Sequence, residues 1–237
     1  VPMLRVNCLC YFCHQPLALS HHALCSVCLR NVMHYYKTST CPVCGLIFDS
    51  SQEGECECDD DPPLWNELIA PFSYQHPMKG IVHRLKFEKN IAVVPLLSRL
   101  FVLFWREQRR RCGIVKPDII LCPPMHRNQL ISRGFNQSVL LAKPIARMLN
   151  IPFLSTAFIK VKATPAQHGL SITARQTNLR DAFKLHPKLP NLIEGKHIAI
   201  FDDIVTTGET MKALCWLLLT CDVLSIQVWA VCRTQKN

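Results

Sequence analysis

The stretch IAIFDDIVTTGET, Ile198 to Thr210, sets two adjacent carboxylates between an apolar run and a loop of small hydroxylated residues. Ile198 to Phe201 is a short continuous apolar run, as expected of a strand covered on both faces in a parallel sheet. Asp202 and Asp203 fall at its carboxyl end, where open α/β sheets take their ligands, and two acids there can accept hydrogen bonds from a vicinal diol. The loop that follows, Thr206, Thr207, Gly208, Glu209 and Thr210, offers hydroxyls, the backbone N–H groups of a turn that Gly208 permits, and a helix start. Together these suit one phosphate. Met211, Leu214, Cys215 and Leu218 then repeat at i, i+3, i+4 and i+7, one face of a helix. The segment therefore reads as a sugar-phosphate site, and its plainer alternative is an acidic turn with a threonine-capped helix that holds no ligand.

Outward from this segment the text alternates. Strands are expected at Leu68 to Tyr74, Asp118 to Cys122, Phe153 to Val161, Lys196 to Phe201 and Ile226 to Cys232. Helices are expected at His76 to Phe87, Ile91 to Arg109, Gln137 to Leu149 and Gly208 to Leu219. Such alternation predicts an α/β domain with a mostly parallel sheet. Residues 123 to 137 read as a loop after a strand, with Arg127, Arg133 and Gly134 leading into a helix N-terminus, a setting that suits an anion or simply a solvated basic loop.

The chain carries 14 cysteines in 237 residues, nine of them before residue 60. Eight repeat as Cys10-x2-Cys13, eleven residues, Cys25-x2-Cys28, then Cys41-x2-Cys44, eleven residues, Cys56-x-Cys58. A C-x2-C pair places two thiolates on one knuckle, and two knuckles complete a tetrahedral zinc site, so the repeat predicts two structural zinc ions in a double zinc ribbon. Segments this short and poor in apolar residues need the metal to fold. The single residue between Cys56 and Cys58 leaves the second site open to distortion or to completion by Cys8, His14, His21, His22 or His34. Redox or disulfide use of the pairs is the alternative for the module.

Residues 1 to 61 hold three basic and seven acidic residues, a formal −4, and residues 62 to 237 hold 24 basic and 10 acidic ones, a formal +14. The acidic stretch Glu53 to Asp61 followed by Pro62-Pro63 predicts a boundary there: a zinc module over 1–61 and an α/β domain over 62–237. A basic body, with Arg106 and Arg109 to Arg111 on one helix end, suits phosphate backbones or a solvated helix terminus. The longest apolar run, Ile91 to Trp105, is interrupted by Pro95 and Arg99 and is too short to span a bilayer, so no membrane insertion is expected. The first twenty residues contain no basic-then-apolar leader, and the expected location is the cytoplasm.

Four apolar residues, two acids, two variable residues and Thr-Thr-Gly-x-Thr resemble the phosphoribosyl pyrophosphate signature of type I phosphoribosyltransferases. The resemblance implies that Asp202 and Asp203 hold the ribose hydroxyls, with Mg²⁺ accompanying the ligand, and that Thr206 to Thr210 hold the 5′-phosphate. The wider order of motifs is similar to ComF-type proteins, particularly their DNA-utilization members: N-terminal cysteine knuckles, Leu85-Lys86-Phe87, Arg133-Gly134-Phe135-Asn136-Gln137, Thr164-x2-Gln167-x2-Leu170, Arg175-x2-Asn178-Leu179 and Ala182-Phe183. That likeness covers essentially the whole chain. It implies a pyrophosphate loop over 123 to 134 with Arg127 and Arg133, and a hood over 160 to 183 in which Lys160, Lys162, Gln167 and Arg175 reach the ligand. Lys160 and Lys162 stand where that family often has arginine, so a clamp there loses the bidentate fork. It also implies handling of incoming single-stranded DNA, with phosphoribosyl pyrophosphate or a related sugar phosphate as ligand and DNA-processing proteins as partners. Phosphoribosyl transfer to an acceptor base stays open beside it, as does a purely structural zinc-ribbon scaffold.

Overall fold

The computed structural model describes residues 9–17, 24–34, 40–47, 58, 62–125, 127–161 and 182–235. The chain forms two compact units, Val1–Ser39 and Thr40–Asn237. In the first, an antiparallel bridge joins Leu9 to Pro16, and helix α1 spans Ser26–His34.

The larger unit is built on a parallel sheet. Its strands among the described residues are β1 (Glu67–Ile69), β2 (Phe72–Ser73), β3 (Ile119–Leu121), β4 (Phe153–Leu154), β7 (His197–Val205) and β8 (Ser225–Arg233). The order is β1-β8-β7-β3-β4, with β2 also on β8, and every pairing is parallel. Connecting helices are α2 (Met78–Phe87), α3 (Val94–Cys112), α4 (Arg127–Arg133), α5 (Gln137–Leu149), α6 (Pro190–Ile193) and α7 (Glu209–Leu219). Strands β5 (Phe158–Lys160) and β6 (Phe183–Leu185) form a separate antiparallel pair.

Alternation along the central strands feeds two layers of core. On one face Phe101 and Trp105 of α3 meet Phe201 and Trp229, with ring centroids 5.3 to 5.6 Å apart. On the other, Ile198, Ile200, Val228 and Ala230 pack with Met211, Leu214, Cys215 and Leu218 of α7, the four residues of the expected helical face. Both faces of β7 are thereby covered, which is why its sequence reads as a continuous apolar run.

Several expectations need correcting. The strand read as Lys196 to Phe201 runs on through both acids to Val205, because Asp202, Ile204 and Val205 keep their register with Ala230, Cys232 and Arg233. Leu68 to Tyr74 is split into β1 and β2 by Ala70-Pro71, since proline supplies no ladder donor. Phe153 to Val161 breaks at a turn after Leu154, so its second half leaves the main sheet and pairs with β6. The basic loop of 123 to 137 contains helix α4. The compact units divide after Ser39, and the Cys41 knuckle lies in the larger one, where Leu68 N–H donates to the Pro42 carbonyl at 2.8 Å.

Candidate functional site

The acid pair lies near the carboxyl end of β7, the central strand, and side chains from α2 and α5 converge on it. Asp203 is only 6% exposed, and its Oδ2 lies 2.8 Å from Nζ of Lys86, in the last turn of α2. Its other oxygen accepts the Ile204 N–H at 2.9 Å. Asp202 Oδ1 accepts the Ser138 hydroxyl at 2.6 Å and the Asp203 N–H at 2.8 Å. Ser138 is delivered by the start of α5, where the Asn136 side chain caps the helix by accepting from the N–H groups of Ser138 and Val139. The Asn136 amide in turn donates to the Pro123 carbonyl at 3.0 Å, tying the helix start to the end of β3.

One cation thus faces two carboxylates. Burial, and then the charge of Asp203, push the Asp202 carboxyl up to about 7 against the opposing pull of Ser138, the Asp203 N–H and Lys86. Two buried thiols border the pair: Cys122 is driven well up by burial and by both acids, and Cys232 is driven up by burial and by Asp203. They stay neutral and serve as packing. A donor set with this uncompensated negative charge suits a diol, a divalent cation, or both.

Directly after the acids the chain leaves the sheet and α7 begins. Gly208 has φ +83° and stands at the N-terminal cap of α7, and the Thr207 hydroxyl accepts the Glu209 N–H at 3.5 Å. A Cβ on Gly208 would lie 3.0 Å from the Trp65 ring. Gly208→Ala is therefore expected to cost about 1–2 kcal/mol from the left-handed backbone alone, and thermal unfolding should show a lowered midpoint. An unchanged midpoint would show that this turn relaxes freely.

The structure brings Asp202, Asp203, Thr206, Thr207, Gly208, Glu209 and Thr210 onto one strand-to-helix junction. Arg133 lies over the Phe87 ring at 5.4 Å, beside the residue that pairs with Asp203, and Phe87 is 60% exposed. Arg127 is exposed at the start of α4, and Lys160 lies over the Phe183 ring at 5.5 Å in the β5–β6 pair. Lys162, Gln167 and Arg175 are outside the described residues. Lys86 and Ser138, which contact the acid pair, are the site groups that reading the sequence missed. The only signal for Lys86 was its place in the Leu85-Lys86-Phe87 motif.

Cysteines gather in both units. The Sγ atoms of Cys10, Cys13, Cys25 and Cys28 lie within 4.8 Å of one another, as do those of Cys41, Cys44 and Cys58. Cys13 and Cys25 are 3.7 Å apart and Cys41 and Cys58 4.0 Å. Those separations are far from a disulfide and close to the roughly 3.8 Å that tetrahedral Zn–S bonds of about 2.3 Å produce. Burial raises the Cys10 thiol, but N–H groups of Cys13, Cys25 and Phe12 outweigh it and bring it down to about 6. Both clusters can hold a metal ion. Cys56 lies outside the described residues.

Residues 135–237 match the phosphoribosyl transferase domain family. Over 232 residues the chain is 39% identical to the DNA utilization protein YhgH of Escherichia coli K12, which covers 98% of this chain and all of that protein. It is 30% identical to competence protein F of Haemophilus influenzae, across 94% of this chain and 96% of the relative. The chain belongs to the ComF family. Among solved structures, the adenine phosphoribosyltransferase of Thermoanaerobacter pseudethanolicus aligns with 59% of this chain and 84% of its own at 17% identity and a TM-score of 0.35. In this ComF-family chain the matched domain begins at Phe135, just before the Asn136 cap and Ser138, and takes in the acid pair and its loop. No helix among the described residues is long and apolar enough to cross a membrane.

Proposed function

We propose that the chain handles incoming single-stranded DNA in the cytoplasm and holds phosphoribosyl pyrophosphate, or a related sugar phosphate, at the Asp202–Asp203 junction. The observation that carries this reading is the convergence of Lys86 and Ser138 on the two acids, immediately before a glycine-capped phosphate loop. Asp202 and Asp203 accept the ribose hydroxyls, and Thr206 to Thr210 take the 5′-phosphate at the start of α7. A Mg²⁺ ion entering with the ligand would face the same acids and supply charge neutralisation for the pyrophosphate. Lys86 orients Asp203 through their ion pair, Ser138 orients Asp202, and the helix start favours the anion. Arg127, Arg133, Lys160, Lys162, Gln167 and Arg175 are assigned to the diphosphate and the hood. Zinc in the two cysteine clusters holds the knuckles, and the N-terminal one meets DNA-processing proteins.

For DNA, the observations in favour are the formal +14 of residues 62 to 237 and the exposed Phe87 ring beside Arg133, a surface on which an unpaired base can stack. The full-length protein is expected to bind labelled single strands with an affinity that falls with salt at a slope of about −0.7 per phosphate contacted. Phe87→Ala should weaken it by about fivefold to a hundredfold, the range for one lost stacking partner. Binding indifferent to ionic strength, or untouched by Phe87→Ala, would count against this surface.

The second reading is an active phosphoribosyltransferase, favoured by the acid pair and the Gly208-capped helix start lying on one junction. Pyrophosphate release from the ligand with any base or nucleotide acceptor would establish it. Ligand binding without release across purines, pyrimidines and single strands would leave a binding role.

A further inference from the structure

We infer that the second cysteine knuckle is a positioning element of the phosphate loop, and that Trp65 and Arg233 transmit its geometry. The inference rests on the reading of Thr206 to Thr210 as the phosphate-holding loop.

Trp65 joins the two directly. Its indole N–H donates to the carbonyl of Val43 at 2.6 Å, and Val43 sits inside the knuckle between Cys41 and Cys44, its own N–H donating to Cys41 Sγ at 3.4 Å. The far edge of the same ring rests against Gly208 so closely that a methyl group there would meet Cη2. The loop's one left-handed residue is therefore backed by a ring whose other end is fastened to the knuckle.

Arg233 makes the second link. Its Nε donates to the Cys44 carbonyl at 3.0 Å, while Nη1 donates to the carbonyls of Val205, at 3.3 Å, and Thr206. One planar guanidinium thus spans a metal-binding cysteine and the first peptides of the loop, which an ammonium on a flexible stem cannot do. Because a peptide unit sets its C=O and N–H in opposite directions, holding the Thr206 carbonyl on Arg233 turns the Thr207 N–H away from it. That fixes the aim of one loop donor before any ligand arrives.

The knuckle itself has little room to drift. Pro42 accepts from Leu68 N–H, and a Cβ on Gly45, at φ +70°, would lie 2.6 Å from Leu68 Cδ2. Gln235 accepts from Ile47 N–H at 2.9 Å. Thiolates gathered on a metal at Cys41, Cys44 and Cys58 would hold Val43 and Cys44 in the places from which Trp65 and Arg233 act. The Cys10 cluster belongs to the other compact unit.

Amide hydrogen exchange across residues 204–210 in the full-length, zinc-loaded protein tests this without any ligand. Arg233→Lys and Cys44→Ser are expected to speed exchange there by about tenfold or more, in line with losing hydrogen bonds to a charged group. Trp65→Phe, which keeps a ring but loses the N–H, should give a smaller increase, and Cys13→Ser none. Affinity for phosphoribosyl pyrophosphate should fall in the same order. Unchanged exchange in Arg233→Lys and Cys44→Ser, or an equal change in Cys13→Ser, would overturn the inference. If Cys44→Ser does not fold, Arg233→Lys and Trp65→Phe retain every cysteine and decide the matter. A protein with the expected exchange pattern that takes no phosphoribosyl pyrophosphate would refute the ligand assignment while leaving the positioning role standing.

Discussion

Replacing Asp202 and Asp203 together with asparagine is expected to remove detectable binding of phosphoribosyl pyrophosphate while leaving the sheet folded. Hydrogen bonds to ionised acceptors contribute about 1.5–3 kcal/mol each, so losing two charged acceptors for a diol corresponds to a drop of about two to four orders of magnitude. The single variants should diverge in stability. Asp203→Asn strands the Lys86 ammonium beside a buried amide and lowers the thermal midpoint. Asp202→Asn relieves a carboxylate whose titration is raised to about 7 by burial and by Asp203. Because the folded-state value lies above the unfolded one near 3.8, this group's contribution to stability is fully present below about pH 4 and is lost as pH rises through 7. The midpoint of Asp202→Asn should therefore exceed that of the wild type at pH 8 and approach it toward pH 4. Ligand affinity in the wild type should strengthen as pH rises through 7. Titration calorimetry and thermal melts read both effects, and wild-type affinity in the double variant would remove the acid pair from the site.

How much of this was legible in the sequence follows from how local each signal is. The central strand, the acids, the loop and the buried face of α7 are contiguous, and their periodicities survive folding unchanged. The partners that give the acids their chemistry are not contiguous. Ser138 reaches Asp202 across 64 positions, and Arg233 reaches Cys44 across 189. A lone serine at a helix start or an arginine closing a strand has no pattern that distinguishes it from a surface residue. Lys86 was visible only as part of a motif, because its role depends on where α2 ends relative to β7. The acidic run before Pro62 marks a change in composition, whereas the hydrogen bond from Leu68 to Pro42, which places the Cys41 knuckle beside the sheet, leaves no trace in charge. Helix α4 was hidden because seven residues with two arginines and no buried side chain carry no amphipathic signature.

Chelating the metal is expected to unfold the Val1–Ser39 unit and to spare the α/β body. Among the described residues of that unit, the buried apolar side chains are Cys10 and Leu24, far too little to offset the entropy of ordering the chain. The four clustered cysteines are expected to supply its folding energy through a bound metal, since structural zinc supplies about 10–16 kcal/mol in small domains of this kind. The larger unit has the opposite balance: two packed layers on a sheet whose central strands are mostly buried, with the Cys41 knuckle joined to its edge by the Leu68–Pro42 backbone hydrogen bond. Removing metal there loosens the knuckle and, through Trp65 and Arg233, the phosphate loop, without dissolving the core. Full-length protein treated with a chelator should thus lose amide protection over residues 9–17 and 24–34 and keep it in β3, β7 and β8. Metal analysis before treatment should give two zinc ions per chain, and a value near one would show that Cys58 and its neighbours do not complete the second site. Persistent protection of the N-terminal unit after the metal is gone would mean that something other than thiolate coordination folds it.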